Sequence, residues 1–454
     1  MVESCPALES HLEAARGGLS RPKGGEASSD ADLPWLVLLI LASLVPTACT
    51  RVDSGWTGTV EDSAGVTIVR NPATGMWRPG EAWTVDEELR IGAVEGEPAY
   101  EFGVVLPGAI AVDSHRQIYV LDSQAQEIRL FSGEGEHIRT LTAKGNGPGE
   151  LASARDLLMG PGDTLFVPDW RTQRMSRFAP DGSFSGDSRF WPRREGLSIA
   201  FRTNGSGLIV EEVGSFVYGT PEPENPRDAL VRWASGRVRS DTLALVPTGQ
   251  DTYQEGGFIG TVWYAPVPCW DLTENGGILF GMNDQYRFRL ISPEGEVDRL
   301  VTRAYEPRSV TDRDIERAMS HMEDRWKRMG ASPSNMTRLV QAQHFSEFLP
   351  AYQSLYEGPS GTIWVQKTKP PSEMAEDETL WFTWPSDWAT QDWDVFDVEG
   401  RYLGVVTMPP RFTPSVFRGD EIYGVALDEV GVSYVVRLRV VRTGRGPGDA
   451  SGHT

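Results

Sequence analysis

The sequence predicts an all-β chain, a six-bladed β-propeller closed by an N-terminal strand and interrupted by a helical hairpin. Three observations predict it. A unit is written twice between Ile110 and Gly182, so that Asp122 recurs as Asp169, Phe131 as Phe178 and Gly135 as Gly182, each 47 residues on. Each copy reads strand, polar turn, strand ending in Asp, strand, Gly turn, strand, which is one four-stranded propeller blade. The last copy stops after three strands, while Leu89 to Gly92 is a strand without its own first three. Pairing the two closes the ring and removes its exposed edges.

The elements follow in order. Leu33 to Val45 (LPWLVLLILASLV) is an apolar run of 13 residues, shorter than the roughly 20 needed to span a bilayer but suited to a signal peptide. It ends at Cys49 in LVPTACT, a pattern similar to the bacterial lipoprotein signal, so Cys49 is the expected lipidation site and residues 1–49 the leader. Ordinary secretion with cleavage after Ala48 is the alternative. Residues 50–65 are small and polar and read as a flexible tether. Val66 to Val69 and Trp83 to Ile91 read as strands. The two copies then supply blades one and two. SIAFR, LIVEEV, DALVRW and VRSDTLAL give the third, and VPCWDL, ILFGM, YRFRLI and VDRLVTR the fourth. AYQSLY, TIWVQK, WDVFDV and YLGVVTM give the fifth, with TPSVF, EIYGVAL and VSYVVRLRVV in the sixth. Gly135, Gly182, Gly236, Gly295 and Gly400 mark the equivalent turn in successive blades.

Between blades four and five lies an insertion at about 309–348. Thr311 and Asp314 resemble a capping box, and Ile315, Met319, Met322, Trp326 and Met329 form an apolar stripe at helical spacing. Asn335 to Phe348 reads as a second helix, the pair packing on one face of the ring near blades four and five. A second insertion at about 368–392 carries Trp381, Trp384 and Trp388. The propeller is expected to run from 66 to 441, with a disordered tail at 442–454.

Composition narrows the functions. With 39% apolar residues and 10% aromatics the chain can build a core. Its formal charge of −21 repels phosphate backbones, and no Lys/Arg cluster overrides it, which excludes nucleic acid as a partner. Three cysteines make no disulfide framework. Cys269, in VPCWDL, reads as a small buried apolar residue.

Few residues carry chemistry. Gly145, Gly147, Pro148 and Gly149 lack the Lys-Ser/Thr ending of a phosphate loop and read as an inter-blade turn. Asp122 and Asp169 end strands, where a carboxylate accepts backbone N–H bonds from the next turn, so a fold role outweighs metal binding. His115, His137, His321 and His344 show no ligand spacing. Trp381, Trp384 and Trp388, with Trp393 and neighbouring acids, are the candidate ligand-binding loop, since exposed Trp faces stack on sugars or aromatics. The bland alternative is a flap packed over the hairpin. No catalytic residue and no metal ligand are assigned.

The IYVLD and IRLF strands with their Gly turn, the GNGPGE crossover and the segment LRIGAVEGEPAYEF resemble bacterial exported six-bladed β-propellers related to the NHL and TolB-like propellers. The resemblance covers roughly Val66 to Val441 and speaks to fold more than activity. It implies an exported protein, periplasmic or at the outer membrane and held there by a lipid anchor only, that acts as a binding or scaffolding module for an envelope protein, a peptide or a glycan. The runner-up is a lactonase-like, calcium-dependent hydrolase or lyase using the central channel. No cofactor is identified, calcium standing as the ion that reading would need.

Overall fold

In a computed structural model of the chain, the residues described are 55–189, 197–215, 226–234, 238–250, 252–255, 258–328, 330–374 and 389–442. Among them, six antiparallel four-stranded blades follow one another around a ring. Blade one comprises Ile110–Val112, Ile118–Asp122, Glu127–Phe131 and His137–Thr140, and blade two Leu158–Met159, Leu165–Asp169, Arg174–Phe178 and Phe184–Arg189. Blade three is Leu197–Thr203, Ile209–Gly214, Arg227–Ala234 and Val238–Pro247, and blade four Pro268–Leu272, Ile278–Met282, Arg287–Ile291 and Val297–Arg303. Blade five is Tyr352–Glu357, Ile363–Thr368, Ala389–Phe396 and Tyr402–Thr407. Blade six takes Phe412–Arg418, Glu421–Leu427 and Ser433–Val441 from the C-terminal end and Thr84–Ile91 from the N-terminal end. The closing pair runs antiparallel from Val435 opposite Ile91 to Val441 opposite Thr84.

Local chemistry explains the repeats. Gly135, Gly182, Gly295 and Gly400 have φ of +87°, +75°, +92° and +82°, a conformation that costs glycine little and other residues more. Asp122 accepts the N–H groups of Gly103, Val104, Gln124 and Ala125, and Asp169 those of Ala152, Ser153, Arg171 and Thr172. Each carboxylate therefore fastens the inter-blade crossover to its own blade. Glu150 closes the GNGPGE turn by accepting the Gly147 N–H at 2.7 Å. Between neighbouring blades the alternate side chains interlock. Ile118, Val120 and Phe131 of blade one, Phe178 of blade two, and Tyr423, Val425 and Val435 of blade six belong to one continuous core, each buried side chain of this size contributing about 1.5–3 kcal/mol.

The structure departs from the sequence reading in three places. Residues 59–63 of the expected tether form a strand, Thr59–Ser63, paired with Val66–Asn71, which runs parallel to the outer strand of blade four. Its five side chains are all exposed, so backbone pairing alone makes it a strand and no apolar pattern announces it. Asn71 secures the addition: its amide donates to the carbonyls of Thr302 and Gly400 and accepts from Tyr402 N–H and the Trp56 indole.

The insertion helices are α1, Asp312–Arg328, and α2, Pro333–Gln341. The capping box forms as expected, Asp314 accepting Thr311 N–H at 2.9 Å while its own N–H reaches Thr311 Oγ1 at 3.3 Å. The second helix is shorter than the expected 335–348. It starts at a Ser332 cap with Pro333 next, and Gln343–Phe345 turns into a strand parallel to Phe258–Trp263. That strand, with Thr252–Glu255, makes a small separate sheet that the sequence reading missed. Ala318, Met322 and Trp326 of α1 pack on Trp263, Tyr264 and Leu349.

Candidate functional site: the central channel

The first strands of all six blades line one cavity of about 690 Å³. At its mouth the turns after these strands crowd together. Gly207 has φ +79°, and a Cβ there would lie 2.5 Å from Pro161 N, so only glycine lets the turns of blades two and three meet. Arg418 of blade six reaches across this end to the carbonyls of Val112 and Asp113 of blade one. Asp163 accepts both the N–H and the hydroxyl of Ser114.

Deeper in the channel stands Arg202, in the first strand of blade three. Its guanidinium lies over the Trp270 ring, 5.6 Å from the centroid, and Nη1 donates to the Phe201 carbonyl at 3.0 Å. Nε is buried without a partner. Burial opposes its charge, and Tyr356, Asp271, Asp156 and Glu212 around it more than offset that. None of these carboxylates comes within ion-pair distance of it. Asp271 accepts the Glu357 N–H at 3.1 Å, and Glu212 the Trp270 indole at 2.8 Å.

Burial raises the proton affinity of several carboxyls in and beside the channel. Burial pushes Asp271 up to about 6, against the pull of Arg202 and the Glu357 N–H. Burial, with the neighbouring Asp271 and Glu274 carboxylates, pushes Glu357 up to about 7, although its Oε2 accepts the Glu274 N–H. Burial likewise raises Asp156 and Glu212. Asp271 and Glu357 therefore exchange protons near neutrality, the range useful for both acid–base chemistry and proton-linked binding.

The carboxylates of Asp156, Asp271, Glu274 and Glu357 share this cavity, yet among the described residues no three His, Cys, Asp or Glu side chains are grouped to hold a metal ion. The donor set does not fit calcium: a guanidinium stands among the carboxylates where a divalent ion would need their charge for itself.

Candidates read from the sequence fall elsewhere. Cys49 and the loop residues Trp381, Trp384 and Trp388 lie outside the described residues. Trp393 is no exposed stacking surface; it is 1% exposed in the core of blade five, its ring 5.8 Å from Tyr356. Asp122 and Asp169 are committed to backbone N–H groups, as above. Cys269 is buried, its thiol pushed up to about 12 by burial, and donates to the Gln353 carbonyl at 3.3 Å. Arg202, Asp271, Glu357 and Asp156 escaped notice, although a signal existed. Each is a charged residue in or beside an inner strand with apolar neighbours, as in SIAFR, VPCWDL, AYQSLYE and ARDLLM. No helix among the described residues is long and apolar enough to cross a membrane.

No protein-family model matches the chain, and no curated protein matches it either. Solved structures do. A protein of Bacteroides fragilis described as exported is similar at 10% identity and a TM-score of 0.46, over 82% of this chain and 99% of that one. Virginiamycin B lyase from Staphylococcus aureus is similar at 10% identity and 0.39, over 79% and 100%. A gluconolactonase from Xanthomonas campestris is similar at 11% and 0.37, over 80% and 99%. At such identities and scores they carry no functional argument.

Proposed function

We propose that the protein is an exported binding module of the cell envelope, of the NHL- and TolB-like kind and lipid-anchored at Cys49, that takes its ligand in the central channel. The observation that supports this is the chemistry of the channel wall. Inner strands that served packing alone would be apolar, whereas these bring Arg202, Asp156, Asp271, Glu357 and Arg418 to one cavity of about 690 Å³. That volume lies in the range of about 300–1,000 Å³ of small-molecule sites. It suits a glycan unit or a short peptide rather than a folded partner. The test is a thermal-shift screen of sugars, sugar acids, amino acids and short peptides on the full chain and on Gly205→Trp. Gly205 lies at the mouth, where a Cβ meets only the far end of the Glu274 side chain. Ligands that shift the wild type and fail with Gly205→Trp support the channel; ligands indifferent to the plug refute it.

A second reading is a hydrolase or lyase working by acid–base chemistry without a metal. It is favoured by one feature, the Asp271–Glu357 pair, whose carboxyls titrate near 6 and 7 and are joined through the Glu357 N–H. Turnover of esters or lactones that disappears in both Asp271→Asn and Glu357→Gln would establish it.

A further inference from the structure

Arg202 leaves most of its donors unused in the channel. A guanidinium offers five N–H donors, and among the described residues one bond, to the Phe201 carbonyl, uses them. Trp270 holds its plane from one side, which fixes the fork and leaves its edge to the cavity that Arg202 lines. The acids that balance its charge are fastened elsewhere: Asp271 to the Glu357 N–H, Glu212 to the Trp270 indole, Asp156 to the Trp170 side chain. They supply field without occupying the donors. A fixed planar fork with free N–H groups in a low-dielectric cavity is matched by a carboxylate, which accepts two parallel bonds. Around it, Thr203, Asn204, Ser206 and Glu274 offer partners for hydroxyl groups, and the Phe417 ring an apolar face.

Resting on the channel reading above, we propose that the ligand is a hydroxylated carboxylate, its carboxylate clasped by the free edge of Arg202, and that binding draws protons onto the channel carboxyls. The second half follows from charge. The groups facing Arg202 are Asp156, Asp271, Glu212 and Tyr356; those facing Glu357 are Asp271 and Glu274. Arg155 adjoins Asp156, and Arg418, Asp163 and His115 stand at the mouth. With the channel acids ionised the cavity repels an anion, and with Asp271 and Glu357 protonated it attracts one. An arriving carboxylate therefore raises their proton affinity further, and affinity falls as pH rises through about 6 to 7.

The test uses three probes of one skeleton, D-glucuronate, D-glucose and D-glucosamine, titrated calorimetrically into the full chain. At about pH 5.5 glucuronate should bind about 30-fold or more tighter than glucose, and by about pH 8 its affinity should drop about tenfold or more. Arg202→Gln should abolish the preference, and Arg202→Lys, which keeps the charge and loses the fork, should retain only part of it. The double variant Asp271→Asn, Glu357→Gln should flatten the pH dependence while glucuronate is still preferred. Glucose or glucosamine binding as well as glucuronate, a preference that survives Arg202→Gln, or binding of none of the three overturns the proposal. A neutral or cationic compound from the screen that is lost in Gly205→Trp would leave the channel reading standing while refuting the carboxylate; compounds indifferent to the plug would refute both.

Discussion

Replacing Asp271 with asparagine removes a channel carboxyl whose proton affinity folding raises from an ordinary 3.8 to about 6. The folded chain holds this proton more tightly than the unfolded chain, so the group favours folding while protonated. That contribution is complete below about pH 4 and is lost as pH rises through about 6. A difference of about two pH units corresponds to about 3 kcal/mol. The substituted amide would carry no charge at any pH and can still accept the Glu357 N–H, so the variant escapes the loss. Against this, Arg202 gives up one of its compensating acids, which Asp156 and Glu212 only partly replace. The net expectation is a variant near wild type at about pH 4 and more stable by about 2 kcal/mol at about pH 8, or about 2–3 °C in Tm for a chain of this size. Urea unfolding or thermal melts at matched scan rate across that range would read it. A variant that is destabilised more at about pH 8 than at about pH 4 would refute the reasoning, because it would mean that ionised Asp271 and Arg202 attract each other by more than the burial costs.

Glu357→Gln should behave in the same direction, with the wild-type loss running from about 4.5 up through about 7. Asp122→Ala, which strands four backbone N–H groups and removes the carboxylate 3.6 Å from the buried Arg129, should cost about 3–5 kcal/mol in denaturant unfolding. Thiol labelling of the folded chain should leave the Cys269 peptide unmodified in mass spectra until denaturant is added, since its thiol is buried and titrates at about 12. Added calcium should leave the melting temperature unchanged; a stoichiometric ion with a large shift would revive the calcium reading.

The repeat was legible because blade packing demands the same residues at the same places. Asp122 and Asp169, Phe131 and Phe178, and the glycines of the last turn are fixed by backbone hydrogen bonds and left-handed φ that few other residues supply. The closing strand was legible for the same reason: a blade with three strands requires a fourth, and Leu89 to Ile91 carries the pattern of one. What the sequence hid was held by partners far along the chain. Thr59–Ser63 is exposed throughout, with Val60 its one apolar residue, and becomes a strand only because Val66–Asn71 is held against blade four, 231 residues away in the Asn71–Thr302 bond. Gln343–Phe345 has helix-compatible residues, and its fate is decided by Phe258–Trp263. The channel was obscured by the same arithmetic of distance. Arg202, Asp271 and Glu357 stand alone in their own strands, and no local spacing relates them until the ring closes.

Arg202 also bears on why this ring need not carry a metal at its centre. A channel formed by six inner strands gathers whatever those strands point inward, and here that includes acids from blades two, four and five. Left alone, such acids would either take a divalent ion or stay protonated. A guanidinium placed among them offers a third solution: it supplies positive field permanently, without a loading step, with its plane against Trp270. Burial then keeps Asp271 and Glu357 above the usual carboxylate range, since the shared cation pulls on Asp271 without pairing with it. The same arrangement leaves donors unused. A divalent ion would fill its coordination shell with these carboxylates, whereas Arg202 holds them at arm's length and keeps its own fork open to a ligand.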